Sequence, residues 1–173
     1  TQLSATATVT PVNLDAVPVN NTATWLVTII GSFDPNDKTA NTSHGNSSTI
    51  YLIDEDEWVD YVVRFQNTGS DTAFLVVITD TLPAQLDPAT IRMGAGSHNF
   101  IWSLSGQGIL RWTFPNILLP DSNVNEAASH GFVSFRIRPH EPLAPGTVIS
   151  NTANIFFDFN PPVITEPSVL VAE

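Results

Sequence analysis

The strongest constraint on this chain is a two-residue alternation of apolar and polar side chains, repeated in short runs that turn-forming residues cut apart. Val59, Tyr61, Val63 and Phe65 alternate with Asp60, Val62, Arg64 and Gln66. Val133, Phe135 and Ile137 alternate in the same way with Ser134, Arg136 and Arg138. Side chains of a strand point alternately to its two faces, so each run has one face for a core and one for water. The 13 prolines and the many Thr, Asn and Val residues leave little room for helices, and the chain reads as all-β.

The opening segment, 1–10, follows the same rule, with Leu3, Ala5, Ala7 and Val9 on one face. After a turn region, 23–30 (ATWLVTII) is apolar on nearly both faces, as in a covered central strand. Two strands alone are marginal in water, and a bare apolar edge invites pairing with another chain. We therefore expect residues 1–31 to be an N-terminal strand pair that needs strands from elsewhere, and residues 32–173 to form one domain. At 173 residues the chain is long enough for a single good core plus such a fragment.

Within the second part, a short strand is expected near Tyr51, and DEDE at 54–57 is expected as a solvated turn. Ala73 to Thr79 reads as a strand covered on both sides, joined to the preceding one as a hairpin through Asn67–Asp71. The segment 100–114 fixes its own register. A loop of two or four residues would put the two tryptophans on different faces, whereas the three-residue loop Gly106-Gln107-Gly108 sets Trp102 opposite Trp112. Both tryptophans are then expected in the core. In 148–159, read as one strand, Ile149, Asn151, Ala153, Ile155, Phe157 and Phe159 share the inward face. About seven to nine strands at this spacing predict an immunoglobulin-like β-sandwich with an extra N-terminal strand pair.

The segments GSFDPNDK, YVVRFQNTGSDTAF, DTLPAQLD, LPDSNVNEAASHGFVSF and NTANIFFDFNPPVIT together resemble an immunoglobulin-like repeat domain of large surface and secreted proteins of the Bacteroidota. The resemblance covers about 31–165. In that family the domain commonly precedes the cleaved sorting signal of type IX secretion. LSATATVTPVNLDAVPVNNTATWLVTI resembles the last two strands of a preceding repeat. The resemblance implies an extracellular or cell-surface location, a mature product freed of its signal segments, and a stalk, adhesion or scaffolding role.

Asp34, Asn36 and Asp37 resemble the D-x-N-D linker with which cadherin repeats hold calcium, and a hard cation needs six to eight oxygens. Asp121, Asn125, Glu126, Asp158 and Asn160 are the further Ca2+ ligand candidates by type. The same residues also suit Asx turns that brace loops without metal. Lys38, the only lysine, together with an inward Asn151, resembles the Lys-to-Asn amide cross-links of some surface-exposed immunoglobulin-like domains. That chemistry needs a neutral buried amine and a protonated carboxyl, whose identity the spacing leaves open. Thr72 and Thr81 stand in Asp-Thr-Ala and Asp-Thr-Leu triplets that resemble the Bacteroidota O-glycosylation motif.

A net charge of −11 argues against nucleic acid and anionic membranes as partners. No apolar run is long enough for a spanning helix, so membrane insertion is not expected. Zero cysteines exclude a disulfide framework. No catalytic fingerprint is present, and no enzymatic activity is expected. The expected function is an extracellular structural protein, a filament subunit assembled head to tail with copies of itself by strand complementation. Two alternatives stand beside it: a stalk or adhesion module among adjacent repeats of a large type IX secreted protein, and a carbohydrate-binding accessory domain.

Overall fold

The computed structural model describes residues 2–8, 10, 17, 21–28 and 35–173. They fall into two units, 1–34 and 35–173. In the first, β1 (Gln2–Thr8) and β2 (Thr22–Thr28) form a two-stranded antiparallel sheet, with Gln2 opposite Thr28 and Thr8 opposite Thr22. Side chains 4–8 and 22–25 are exposed, Trp25 at 72%.

The second unit is an immunoglobulin-like β-sandwich. One sheet orders β3 (Asp37–Thr42), β5 (Val59–Gln66), β10 (His130–Pro139) and β7 (Leu86–Gly96). Facing it, a five-stranded sheet orders β13 (Val163–Ile164), β12 (Ala153–Phe157), β6 (Ala73–Thr81), β9 (Ile109–Leu119) and β8 (Ile101–Ser105). A third, small sheet orders β11 (Val148–Asn151), β14 (Ser168–Ala172) and β4 (Ile50–Tyr51), with β14 and β4 parallel.

The alternation places the core as expected. Val59, Tyr61, Val63 and Phe65 are fully buried, as are Val133 and Ile137, with Phe135 at 1%. Aromatic rings join the two large sheets: Trp112 meets Phe135 at a centroid distance of 5.3 Å, and Phe65 meets Phe114 at 5.3 Å. Such rings bury roughly 150–250 Å² each and dominate the packing energy. The β8–β9 register is also as expected, Trp102 opposite Trp112, with Gly106 and Gly108 at φ 57° and 117°, where a side chain would be strained.

Several expectations are corrected. β5 and β6 do not form a hairpin but belong to different sheets. The Asn67 side-chain amide donates to Asp71 O at 2.8 Å and Leu119 O at 3.0 Å, which ties the connecting loop to the end of β9 as it crosses between layers. Trp102 is 42% exposed because β8 is the edge strand, with no neighbour beyond it to close over its inward side. The stretch 148–159 is two strands in two sheets, and Phe159 is fully exposed, because Asp158 at φ 51° reverses the backbone before it. Strands go unpredicted at β7, whose Pro88, Gly94 and Gly96 mask its periodicity, and at β3, where the Ser, Asn, Thr and Gly of 39–49 read as a loop; the sandwich has twelve strands, β3 to β14.

The acidic turn at 54–57 is not wholly solvated, since Asp56 is 4% exposed. Its carboxylate accepts N–H groups of His44 (2.6 Å), Gly45 (3.1 Å) and Leu52 (2.9 Å). Burial pushes the carboxyl up, but these donors outweigh it and hold it below the usual carboxylate range. Asp56→Ala is expected to cost about 1–3 kcal/mol by orphaning three amides. Because the folded pKa is depressed, this stabilisation is present above the unfolded value near 3.8 and is lost as pH falls through the folded one. Urea melts of both proteins at neutral and acidic pH check it: the difference between them should shrink in acid.

Candidate functional site

Strands from three sheets bring three polar side chains, Lys38, Asp80 and Asn151, together in the interior. On β3 the inward positions are Lys38, Ala40 and Thr42; on β6 they are Val76, Ile78 and Asp80; on β11 they are Ile149 and Asn151. The side chains of Lys38 and Asp80 are both 0% exposed, and Asn151 is 1% exposed. Lys38 Nζ donates to Asp80 Oδ2. Asn151 Nδ2 faces the same oxygen at 3.5 Å. The amine lies over the Tyr61 ring at 4.7 Å and the Phe135 ring at 5.5 Å, and those rings stack at 5.2 Å.

Removal from water disfavours both charges. Burial lowers the Lys38 amine to about 8 against the opposing pull of Asp80, and burial raises the Asp80 carboxyl against the opposing pull of Lys38 and Asn151. The Tyr61 hydroxyl is likewise pushed up by burial. Among the described residues, four buried side-chain polar atoms have no hydrogen-bond partner, and Tyr61 Oη, Asp80 Oδ1 and Asn151 Oδ1 are three of them. An amine and a carboxyl whose charged forms burial disfavours therefore meet a carboxamide in a dry site, the set of groups that amide exchange requires.

Asp80 is the residue that sequence reasoning missed. Strand β6 runs to Thr81, and period two carries the inward face from Val76 and Ile78 to Asp80, so an acid in phase with a buried run was the available signal.

Asp34 lies outside the described residues. Asn36 accepts the Gln66 N–H at 3.1 Å, and Asp37 pairs with Arg64 at 2.9 Å. Asp121 Oδ1 accepts the N–H groups of Asn123 (2.9 Å) and Val124 (3.2 Å), and Asn125 Oδ1 that of Ala128 (3.1 Å). Glu126 pairs with His130 at 2.8 Å. Asp158 Oδ1 accepts the N–H groups of Phe74 (2.9 Å) and Leu75 (2.8 Å), while Asn160 Nδ2 donates to Phe157 O at 3.0 Å. Asp37 pairs across β3 and β5, the others hold turns and loops, and those of Asn36 and Asp158 brace the β5–β6 connection at its two ends. Among the described residues no group of three or more His, Cys, Asp or Glu is placed to hold a metal ion. Thr72 is half-buried, with its N–H donated to Asp71 Oδ1; Thr81 is exposed, although the Asp80 of its triplet turns inward.

Residues 34–169 match the model of a domain family of unknown function, DUF7619. The chain belongs to that family. No protein of curated function matches it by sequence. In fold, this DUF7619 chain is similar to the major pilin subunit BcpA of Bacillus cereus, at TM-score 0.51 and 16% identity, over 79% of this chain and 40% of that one. It is also similar to the collagen-binding domain of a Staphylococcus aureus adhesin (TM-score 0.48, 11% identity, 83% and 99% covered). A further likeness is to the Corynebacterium diphtheriae major pilin SpaA (0.46, 19%, 73% and 32%), whose structure is described as pointing to a modular pilus assembly with stabilizing isopeptide bonds.

Proposed function

We propose that this chain is a non-enzymatic extracellular structural protein, carried out of the cell by type IX secretion and assembled head to tail with copies of itself into a surface or secreted filament. The observation that carries the reading is the β1–β2 sheet. Among the described residues these two strands pair only with each other, across seven registered positions, with Trp25 at 72% exposure. Two strands do not sustain themselves in water, and adding them to a sheet edge of another copy satisfies their backbone and covers their apolar side chains in one step. The receiving edge is β8, where Ile101, Trp102 and Leu104 are 68%, 42% and 38% exposed. An interface that joins one surface of a copy to a different surface of the next grows as a fibre wherever its rotation does not close a ring. Likeness in fold to a major pilin subunit supports a structural role.

A second reading is a stalk or adhesion module within a longer surface polypeptide, whose upstream strands complete the β1–β2 sheet. The same β1–β2 sheet favours it, since among the described residues those strands pair only with each other. Light scattering and negative-stain imaging across a concentration series separate the two. A filament subunit gives linear oligomers that grow with concentration, and Leu104→Lys, which puts a charge on the receiving edge, returns it to monomer with unchanged circular dichroism. Monomers at every concentration would reject the filament and leave the stalk.

A further inference from the structure

We propose that the folded chain joins Lys38 Nζ to Asn151 Cγ in an intramolecular amide bond, with Asp80 as the proton carrier. This goes beyond the filament reading and does not depend on it, because the reacting groups all lie within one sandwich.

The arrangement is poorly explained as an ion pair alone. Lys38 and Asp80 satisfy each other through a single carboxylate oxygen, yet Asp80 Oδ1 and Asn151 Oδ1 remain unpartnered at full burial. Leaving such atoms bare is costly, and native interiors rarely tolerate it. One change gives Asn151 Oδ1 a partner in Asp80 Oδ2, the oxygen that the amide already faces at 3.5 Å. The two ends of a carboxamide are interchangeable by a half-turn, and in the turned orientation a protonated Asp80 donates to Asn151 Oδ1. The amine then loses its charge partner and sits neutral over Tyr61 and Phe135. Burial favours this uncharged pair, as the lowered Lys38 and raised Asp80 pKa values indicate.

The reaction balances without any co-reactant. A proton passes from the Lys38 ammonium to the Asp80 carboxylate. The Nζ lone pair attacks Asn151 Cγ, and the C=O electrons move onto Oδ1, where the Asp80 carboxyl donates to them. Asp80 then relays a proton from Nζ to Nδ2, the C–Nδ2 bond breaks, and ammonia leaves as the carbonyl reforms. Lys38 ends as a secondary amide, and Asp80 keeps the proton it first received. No electrons are gained or lost overall. The bond ties β3 of the four-stranded sheet to β11 of the small sheet, across Asp80 of the five-stranded one.

Intact mass of the purified chain tests this. The wild type is expected to lack one ammonia relative to its sequence. Because an asparagine can also lose ammonia by closing on its own backbone, the deciding result is a tryptic fragment in which the Lys38 and Asn151 segments travel together. Cleavage after Lys38, the only lysine, should be lost. Asp80→Asn and Asn151→Ala should show full mass and normal cleavage. Full mass in the folded wild type after prolonged incubation, or ammonia loss without the joined fragment, would overturn the proposal whether or not either variant folds.

Discussion

In the dilute monomer, Trp112→Ala is expected to lower the unfolding free energy by about 3–5 kcal/mol, whereas Trp102→Ala, its partner across the β8–β9 register, should cost only about 1 kcal/mol. The two residues share a face and a residue type, and they sit opposite each other. Burial separates them. Trp112 is fully enclosed in β9, its ring tilted against Phe135 at 5.3 Å, with its indole N–H directed at Met93 Sδ at 3.2 Å. Deleting it opens a cavity between the large sheets and also frees a buried donor's partner. Trp102, on the edge strand, keeps 42% of its surface in water and leaves a dent that solvent fills. A whole domain is stable by only about 5–15 kcal/mol, so the first variant approaches the threshold of folding. Equal shifts in the urea midpoint would mean that β8 is covered in solution, as a filament contact on that edge would make it.

The contrast marks what a two-residue period can and cannot disclose. Period two identified the inward face of β5, β9 and β10, and it paired Trp102 with Trp112, because face and register depend on local geometry alone. Depth does not. Whether an inward residue is sealed depends on the strand's being central or at an edge, which is decided by strands distant in sequence. Sheet membership was hidden for the same reason: β5 and β6 look like a hairpin until Asn67 is seen bonded to Leu119 O, and 148–159 looks like one strand although its halves pair with β14 and β6. In the polar cluster, Asn151 was legible as an inward amide within an apolar run. Asp80 was overlooked although it lies in phase with Val76 and Ile78, since an acid after Ala73 to Thr79 resembles a strand end rather than a core position. The elements that would have betrayed it, β3 and β11, lie on other sheets and meet it only in three dimensions.

Asp80→Ala should be the most damaging single change at the polar cluster, at about 3–5 kcal/mol beyond the loss of the cross-link, since it strands the Lys38 amine with no other carboxylate partner among the described residues. Lys38→Met combined with Asp80→Leu should recover most of that loss, because two buried charges and their desolvation disappear together. It would still fall short of a cross-linked wild type, for which closing a loop of roughly 100 residues contributes about 4.7 kcal/mol in the chain-entropy model. The pH dependence of Asn151→Ala, which keeps the pair but has no amide to attack, separates the two contributions. Asp80 has a folded pKa above 3.8, so its contribution is fully present below 3.8 and is lost as pH rises through the folded value. Lys38 falls from 10.5 to about 8, so its burial penalty is constant below about 8 and is relieved between 8 and 10.5. Asn151→Ala is therefore expected to be least stable around neutrality and to gain stability from pH 8 to 10.5. The wild type should lack that alkaline gain, because an amide nitrogen has no proton to lose in this range. An alkaline rise of equal size in both proteins, followed by denaturant melts, would mean that Lys38 is still a free amine in the wild type.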